Sequence, residues 1–315
     1  MSGRHPAGDW AGLLALTIMW GSAFLLTKIA LAALQPSLVV AGRLLVACVL
    51  LLPLAVLRLP AARGRGEPAW GARLWVFLVL IAILGNALPF SLIAWGQQRI
   101  DSGLAGILMA VMPLATLGLA HYFVPGERLT RYRVGGFLLG FGGVVVLMGP
   151  QALFGTASGE SRLLPMLAVL GGAFCYAASA ILARLRPASA PLPSAAVTTL
   201  IAAGLMVPGV LGPGDLRLPP AVPWAPLAAV LGLGIFSTAW ASIIYFRLIK
   251  SAGPAFVSQL NYLIPLWAVL VGMAFLDERL QANQLYALAL ILGGILVIQM
   301  ERRRSIPRNP GAPSA

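Results

Sequence analysis

The chain reads as an all-α integral membrane protein with ten transmembrane helices, built as two inverted repeats of five. Three observations lead there. The first is composition. Of 315 residues, 59% are hydrophobic and 10% charged, against about a quarter charged in soluble domains, and mean hydropathy is +0.90. The second is pattern: polar residues fall in short clusters between apolar runs of bilayer-spanning length, about 18 residues or more. The third is a stretch that occurs twice. Pro113-Leu114, an apolar run, Glu127-Arg128-Leu129 and then Gly142-Gly143 recur as Pro265-Leu266, an apolar run, Asp277-Glu278-Arg279-Leu280 and Gly293-Gly294. The prolines lie 152 positions apart (113 to 265), and Trp20 and Lys28 lie 156 from Tyr176 and Arg184. A period of half the chain outranks any local motif.

Taken in order, residues 1–9 are a short polar N-terminus and 10–149 hold the first repeat. Helix 1 covers 10–34; it is too long for a signal peptide, carries Lys28 and lacks a small-residue cleavage site. Helix 2 covers 38–57, with Arg43 inside it. Helix 3 covers 74–95 and is interrupted by Gly85-Asn86 and Pro89. Helices 4 and 5 cover 104–124 and 134–148. Residues 150–162, rich in Gly, Ser and Thr, form the linker, and 163–300 hold the second repeat. Its helices cover 163–185, 195–211, 224–249, 255–276 and 285–300. The tail 301–315 opens with Arg302-Arg303-Arg304 and ends Pro/Gly/Ser-rich, a composition expected to be disordered.

Charge fixes the expected orientation. Of the 22 Lys and Arg, five (Lys28, Arg99, Arg162, Arg217, Arg279) fall on one side, Arg43 lies within helix 2, and the other sixteen fall opposite. The rule that cytoplasmic loops are positive then puts both termini in the cytoplasm, in a bacterial inner membrane. The net charge of +13 is scattered along these loops rather than gathered on one face, so nucleic acid is not expected as a partner. Cys48 and Cys175 lie inside apolar runs and read as small buried hydrophobes. Neither a metal nor a cofactor is expected, and the partners are the bilayer and a small-molecule substrate.

Five spans per copy is an odd number, so the second copy enters the membrane upside down. Inverted repeats are a signature of secondary transporters, with substrate held near the midplane between the halves. Two other classes were weighed. A membrane-embedded enzyme on lipid-linked substrates needs acids, His or Ser clustered at one interface. A channel needs a polar filter or charged ring. Neither pattern is evident, so no catalytic residue is assigned.

At this point the chain resembles a known family. Trp20-Gly21-Ser22-Ala23-Phe24, the Pro-to-Glu-Arg-Leu run closing helices 4 and 9, and the Gly-Gly pairs of helices 5 and 10 are similar to the EamA-type repeat of the drug/metabolite transporter superfamily. The resemblance spans 11–300. It implies ten helices around a central cavity, helices 5 and 10 at the periphery, and export or exchange of small metabolites, amino-acid-like or otherwise. The substrate is not implied.

Candidate cavity residues follow from polarity inside apolar helices. All nine Asp and Glu fall at helix ends or in loops, leaving Arg43 without an intramembrane acid. An Arg at the bilayer centre costs about 2.5–3.5 kcal/mol on insertion scales. Arg43 therefore either snorkels to the headgroups or meets a carboxylate or phosphate of the substrate. Helix 9 carries Gln259, Asn261 and Tyr262 beside Pro265, where helix 4 is apolar. Pro265 cannot donate to the Asn261 carbonyl, which leaves an acceptor to be satisfied. Thr238 and Ser242 share a stripe on helix 8, Asn86 sits at the break in helix 3, and Trp20 and Tyr176 occupy equivalent positions. Each has an alternative as interhelical packing or glue. The glycine pairs serve either internal packing or a homodimer through helices 5 and 10.

Overall fold

A computed structural model describes residues 6–63, 70–125, 130–154, 162–211 and 223–304. Among these residues every regular element is helical. Glu127-Arg128-Leu129, most of the linker and the tail beyond Arg304 lie outside them, as do the loops around Arg65 and Asp215.

The first repeat holds α1 (Ala7–Leu31), α2 (Pro36–Arg63), α3 (Ala72–Gln97), α4 (Ser102–Phe123) and α5 (Arg131–Phe154). The second holds α6 (Leu163–Leu185), α7 (Pro191–Leu211), α8 (from Trp224), α9 (Leu260–Leu276) and α10 (Ala282–Arg304). α2, α3, α5, α7 and α10 run a turn or more longer than expected, α1 ends at Leu31 rather than 34, and α9 begins at Leu260 rather than 255. α2 and α7 open on a proline, which fits a first turn whose N–H groups have no intrahelical partner. α10 runs on to Arg304, four residues past position 300, where the second repeat was expected to end.

Four breaks depart from straight helices, and three of them have a local cause in a proline or glycine. In α3 the segment Ile83–Ala87 is wound as a π-turn just ahead of Pro89, which cannot donate to the Gly85 carbonyl. The equivalent part of α8, Leu233–Trp240, is also π. In α4 the helix interrupts at Ala110-Val111, before Pro113. Gly253, at φ 82° and ψ 166°, separates α8 from the turn that begins α9; this left-handed region favours glycine.

Helix pairing shows the two-fold relation between the halves. α1 packs on α8 and α9, and its counterpart α6 packs on α3 and α4. α2 packs on α8, as α7 does on α3; α2–α7, α4–α9 and α5–α10 meet their own counterparts. The main core sits where α4 meets α1, α3, α5, α6, α9 and α10, with Leu104, Ile107, Leu108, Val169 and Ile291 buried. At the α5–α10 contact a Cβ on Gly136 would collide with the Gly294 carbonyl, and a Cβ on Gly143 with that of Ala287. These glycines let two backbones touch, so they serve contact within the chain.

The recurrent acid–arginine turn also acquires a structural meaning. Asp277 adopts the left-handed conformation (φ 52°) at the end of α9, which Asp tolerates. The chain turns back, and Glu278 accepts hydrogen bonds from the N–H groups of Ser102 (2.6 Å) and Gly103 (2.8 Å). A carboxylate of one repeat thus caps α4 of the other. Beside it Lys28 Nζ donates to the carbonyls of Gln97 and Ile100, both at 2.8 Å, closing the end of α3.

Candidate functional site: a central cavity

A cavity of about 350 Å³ lies among α1, α2, α3, α4, α6, α8 and α9, lined by the first turns of α2 and α9 and by inner turns of the others. Among the described residues, α5, α7 and α10 contribute none to the lining. Its wall is assembled from equivalent positions of the two repeats: Trp20 and Tyr176, Asn86 and Thr238, Met109 and Asn261, Pro113 and Pro265. The prolines place their interrupted turns at the wall, and both π-turns reach it, through Gly85 and Asn86 and through Leu233, Ser237 and Thr238. Such turns push side chains out of the regular helical register. The scaffold is therefore symmetric, and the side-chain chemistry is not.

Arg43 is the one Lys or Arg at this wall. It does not snorkel. Its Nε donates to Thr238 Oγ1 at 2.7 Å, and its guanidinium lies over the Phe90 ring, 3.8 Å from the centroid. Thr238 in turn donates to the Leu233 carbonyl at 2.9 Å, five residues back across the π-turn. Tyr176 meets the same Phe90 ring edge-on, with centroids 6.3 Å apart. Arg43 is therefore held by a residue from the opposite repeat and faced by a cation–π partner.

Of the nine side chains singled out from sequence, seven line this cavity: Trp20, Arg43, Asn86, Tyr176, Thr238, Ser242 and Asn261. Gln259 and Tyr262 do not. Gln259 sits in the turn before α9, where its carbonyl accepts from the Tyr262 and Leu263 N–H groups. Tyr262 is half-buried against the main core. Asn261, Ile264 and Pro265 are the α9 residues that face inward, and positions 259 and 262 point elsewhere around the helix. Phe90, Met109, Met112 and Ser237 were missed. An apolar residue in an apolar helix carries no mark of facing a cavity, although Phe90 beside Pro89 was within reach of the Gly85–Pro89 break.

The first motif residues divide between wall and packing. Trp20 and Phe24 line the cavity. Gly21 leaves room for Trp267, whose indole N–H donates to Ser22 Oγ at 2.9 Å, locking α1 onto α9. Lys28 anchors the end of a helix, that of α3 rather than its own.

Ten helices in two interleaved five-helix halves around a mostly apolar central cavity with a few polar groups define a polytopic membrane protein of the transporter type. The chain belongs to the EamA-like transporter family, whose model matches residues 8–149 and 163–300. It is 26% identical over 296 residues to the "uncharacterized inner membrane transporter YedA" of Escherichia coli K12, covering 92% of this chain and 90% of that one. It is 26% identical to the "uncharacterized transporter YvbV" of Bacillus subtilis, covering 95% and 94%. It is 25% identical to "protein PecM" of Dickeya dadantii, covering 89% of each. One solved crystal structure superposes with a TM-score of 0.60 at 21% identity, over 96% of this chain and 100% of the other, a likeness of fold.

Proposed function

We propose that the protein is a secondary transporter of the inner membrane, exporting or exchanging a small organic solute by alternating access, with both termini cytoplasmic. One observation carries this reading: a cavity walled by equivalent residues of two inverted repeats, holding one cation. A pseudo-two-fold that exchanges the halves also exchanges an inward-open state for an outward-open one around a fixed site. Lys28 and Glu278 tie α1, α3, α4 and α9 together at one end, a set of contacts that an opening of that end would have to break. Arg43 is the contact for an anionic group on the solute. The inner membrane is the location printed for the Escherichia coli relative, and the distribution of Lys and Arg supports the orientation.

The test is counterflow. Purified protein in liposomes preloaded with a panel of amino acids or organic acids should take up at least one labelled member faster with unlabelled solute on the opposite side, and saturably. Flux that neither saturates nor responds to trans solute would overturn the carrier reading in favour of a channel.

A further inference from the structure

We infer that the solute is an organic monoanion, a carboxylate on an apolar body, rather than a zwitterion; this rests on the transporter reading above. It follows from which polar groups of the wall are already spent. The Trp20 indole donates to the Ser237 carbonyl, Thr27 to that of Ala23, Ser237 to that of Met19 and Ser242 to that of Thr238. Thr238 is used twice, toward Arg43 and Leu233. Among the described residues, the side chains of Asn86, Tyr176 and Asn261 make no hydrogen bond, and neither does either Nη of Arg43. One cation, one phenol and two carboxamides are therefore left to meet a solute, and no Asp or Glu lines the cavity.

Charge then decides the class. A guanidinium withdrawn from water needs a counter-charge, because an unpaired buried ion keeps its full desolvation cost. With Nε engaged and one face against Phe90, the Nη edge of Arg43 remains, and a carboxylate answers it with paired N–H···O bonds. A zwitterion would bring the same carboxylate together with an ammonium that has no acid to meet it. The loaded cavity would then stay net positive, whereas a monoanion makes it neutral. The body is set by Trp20, Phe24, Phe90, Met109 and Ile264, which wall a volume of about 350 Å³ with apolar and aromatic surface.

The experiment uses four probes on one 3-phenylpropyl skeleton: 3-phenylpropanoate, phenylalanine, 3-phenylpropan-1-ol and 3-phenylpropylamine. Binding of each to the full chain in nanodiscs is measured by calorimetry. The propanoate should bind about tenfold or more tighter than the other three. The alcohol and the amine lack the charge-assisted bond to Arg43, which is worth about that factor, and phenylalanine adds an ammonium with no acid to meet it. Arg43→Gln should erase that preference, and Arg43→Lys should keep part of it, with both variants checked for monodisperse elution. Should Arg43→Gln not fold, the ranking on the unaltered chain still decides. Phenylalanine equal to or tighter than the propanoate, or no binding of the propanoate, overturns the inference. In either case counterflow of another solute would leave the carrier reading standing, and only its absence across the whole panel would remove that too.

Discussion

The Arg43 guanidinium is fixed from two directions, by the Thr238 hydroxyl at Nε and by the Phe90 ring against its face. A long, flexible cation becomes a directed one at the cost of one threonine. Thr238→Val removes the acceptor and keeps the volume, so Arg43 should lose its orientation. An unmade buried hydrogen bond is worth about 1–3 kcal/mol, so the half-saturating concentration in counterflow should rise about tenfold, and Thr238→Ser should restore it. A packing role alone would leave Thr238→Val unchanged and make Thr238→Ser the damaging variant. Residues 259 and 261 give a second comparison. Asn261→Ala should lower transport with little loss of folded protein, whereas Gln259→Ala should leave transport within about twofold, the range of ordinary surface substitutions. The sequence made Arg43 and Asn261 legible because a polar group inside an apolar run must find a partner. It grouped Gln259 and Tyr262 with them because a cluster in sequence is not a face in space. The turn at Ser258-Gln259 also changes the helical phase just where the cluster begins.

At the scale of elements, glycine and proline marked the interruption at Gly85–Pro89 and the joint around Gly253, but not the one ahead of Pro113. What they did not reveal was the winding. In uniformly apolar helices a π-turn and an α-turn bury much the same surface, so hydrophobic periodicity does not separate them. The paired π-turns of α3 and α8 are visible only in the structure, and they set Asn86 and Thr238 against the cavity. The acid–arginine turn was visible as a repeat, but its role needed the fold, because Glu278 and the α4 amides it caps come from different repeats. Glu278→Ala leaves two N–H groups at a buried helix start without their acceptor. Loss of such a cap costs about 0.5–2 kcal/mol. A lowered unfolding temperature is expected in detergent, with Glu278→Gln falling between wild type and Ala. Equal melting of all three would mean that water replaces the carboxylate at α4.

The whole molecule is governed by the odd number of spans in each half. Because α3 and α8 are counterparts and pack on counterpart neighbours, an inverted repeat requires them to cross the membrane in opposite directions. The exposed residues in their first turns, Arg73 and Trp224, must then lie on opposite sides. Helix count and repeat order were legible from composition and from the spaced Pro, Glu and Gly-Gly landmarks, because bilayer thickness fixes helix length. The interleaving of the halves was not, since lipid-facing and helix-facing surfaces are both apolar and no sequence pattern says which neighbour a helix will choose. Cysteines at 73 and 224, one at a time in a chain with Cys48 and Cys175 replaced by Ser, test this in intact cells with a membrane-impermeant maleimide. Trp224→Cys should label from outside, and Arg73→Cys only after the cells are opened, as the excess of Lys and Arg on its side demands. Labelling of both from the same side would mean that the halves are parallel. An outward-open and an inward-open state would then no longer be related by exchanging the two repeats.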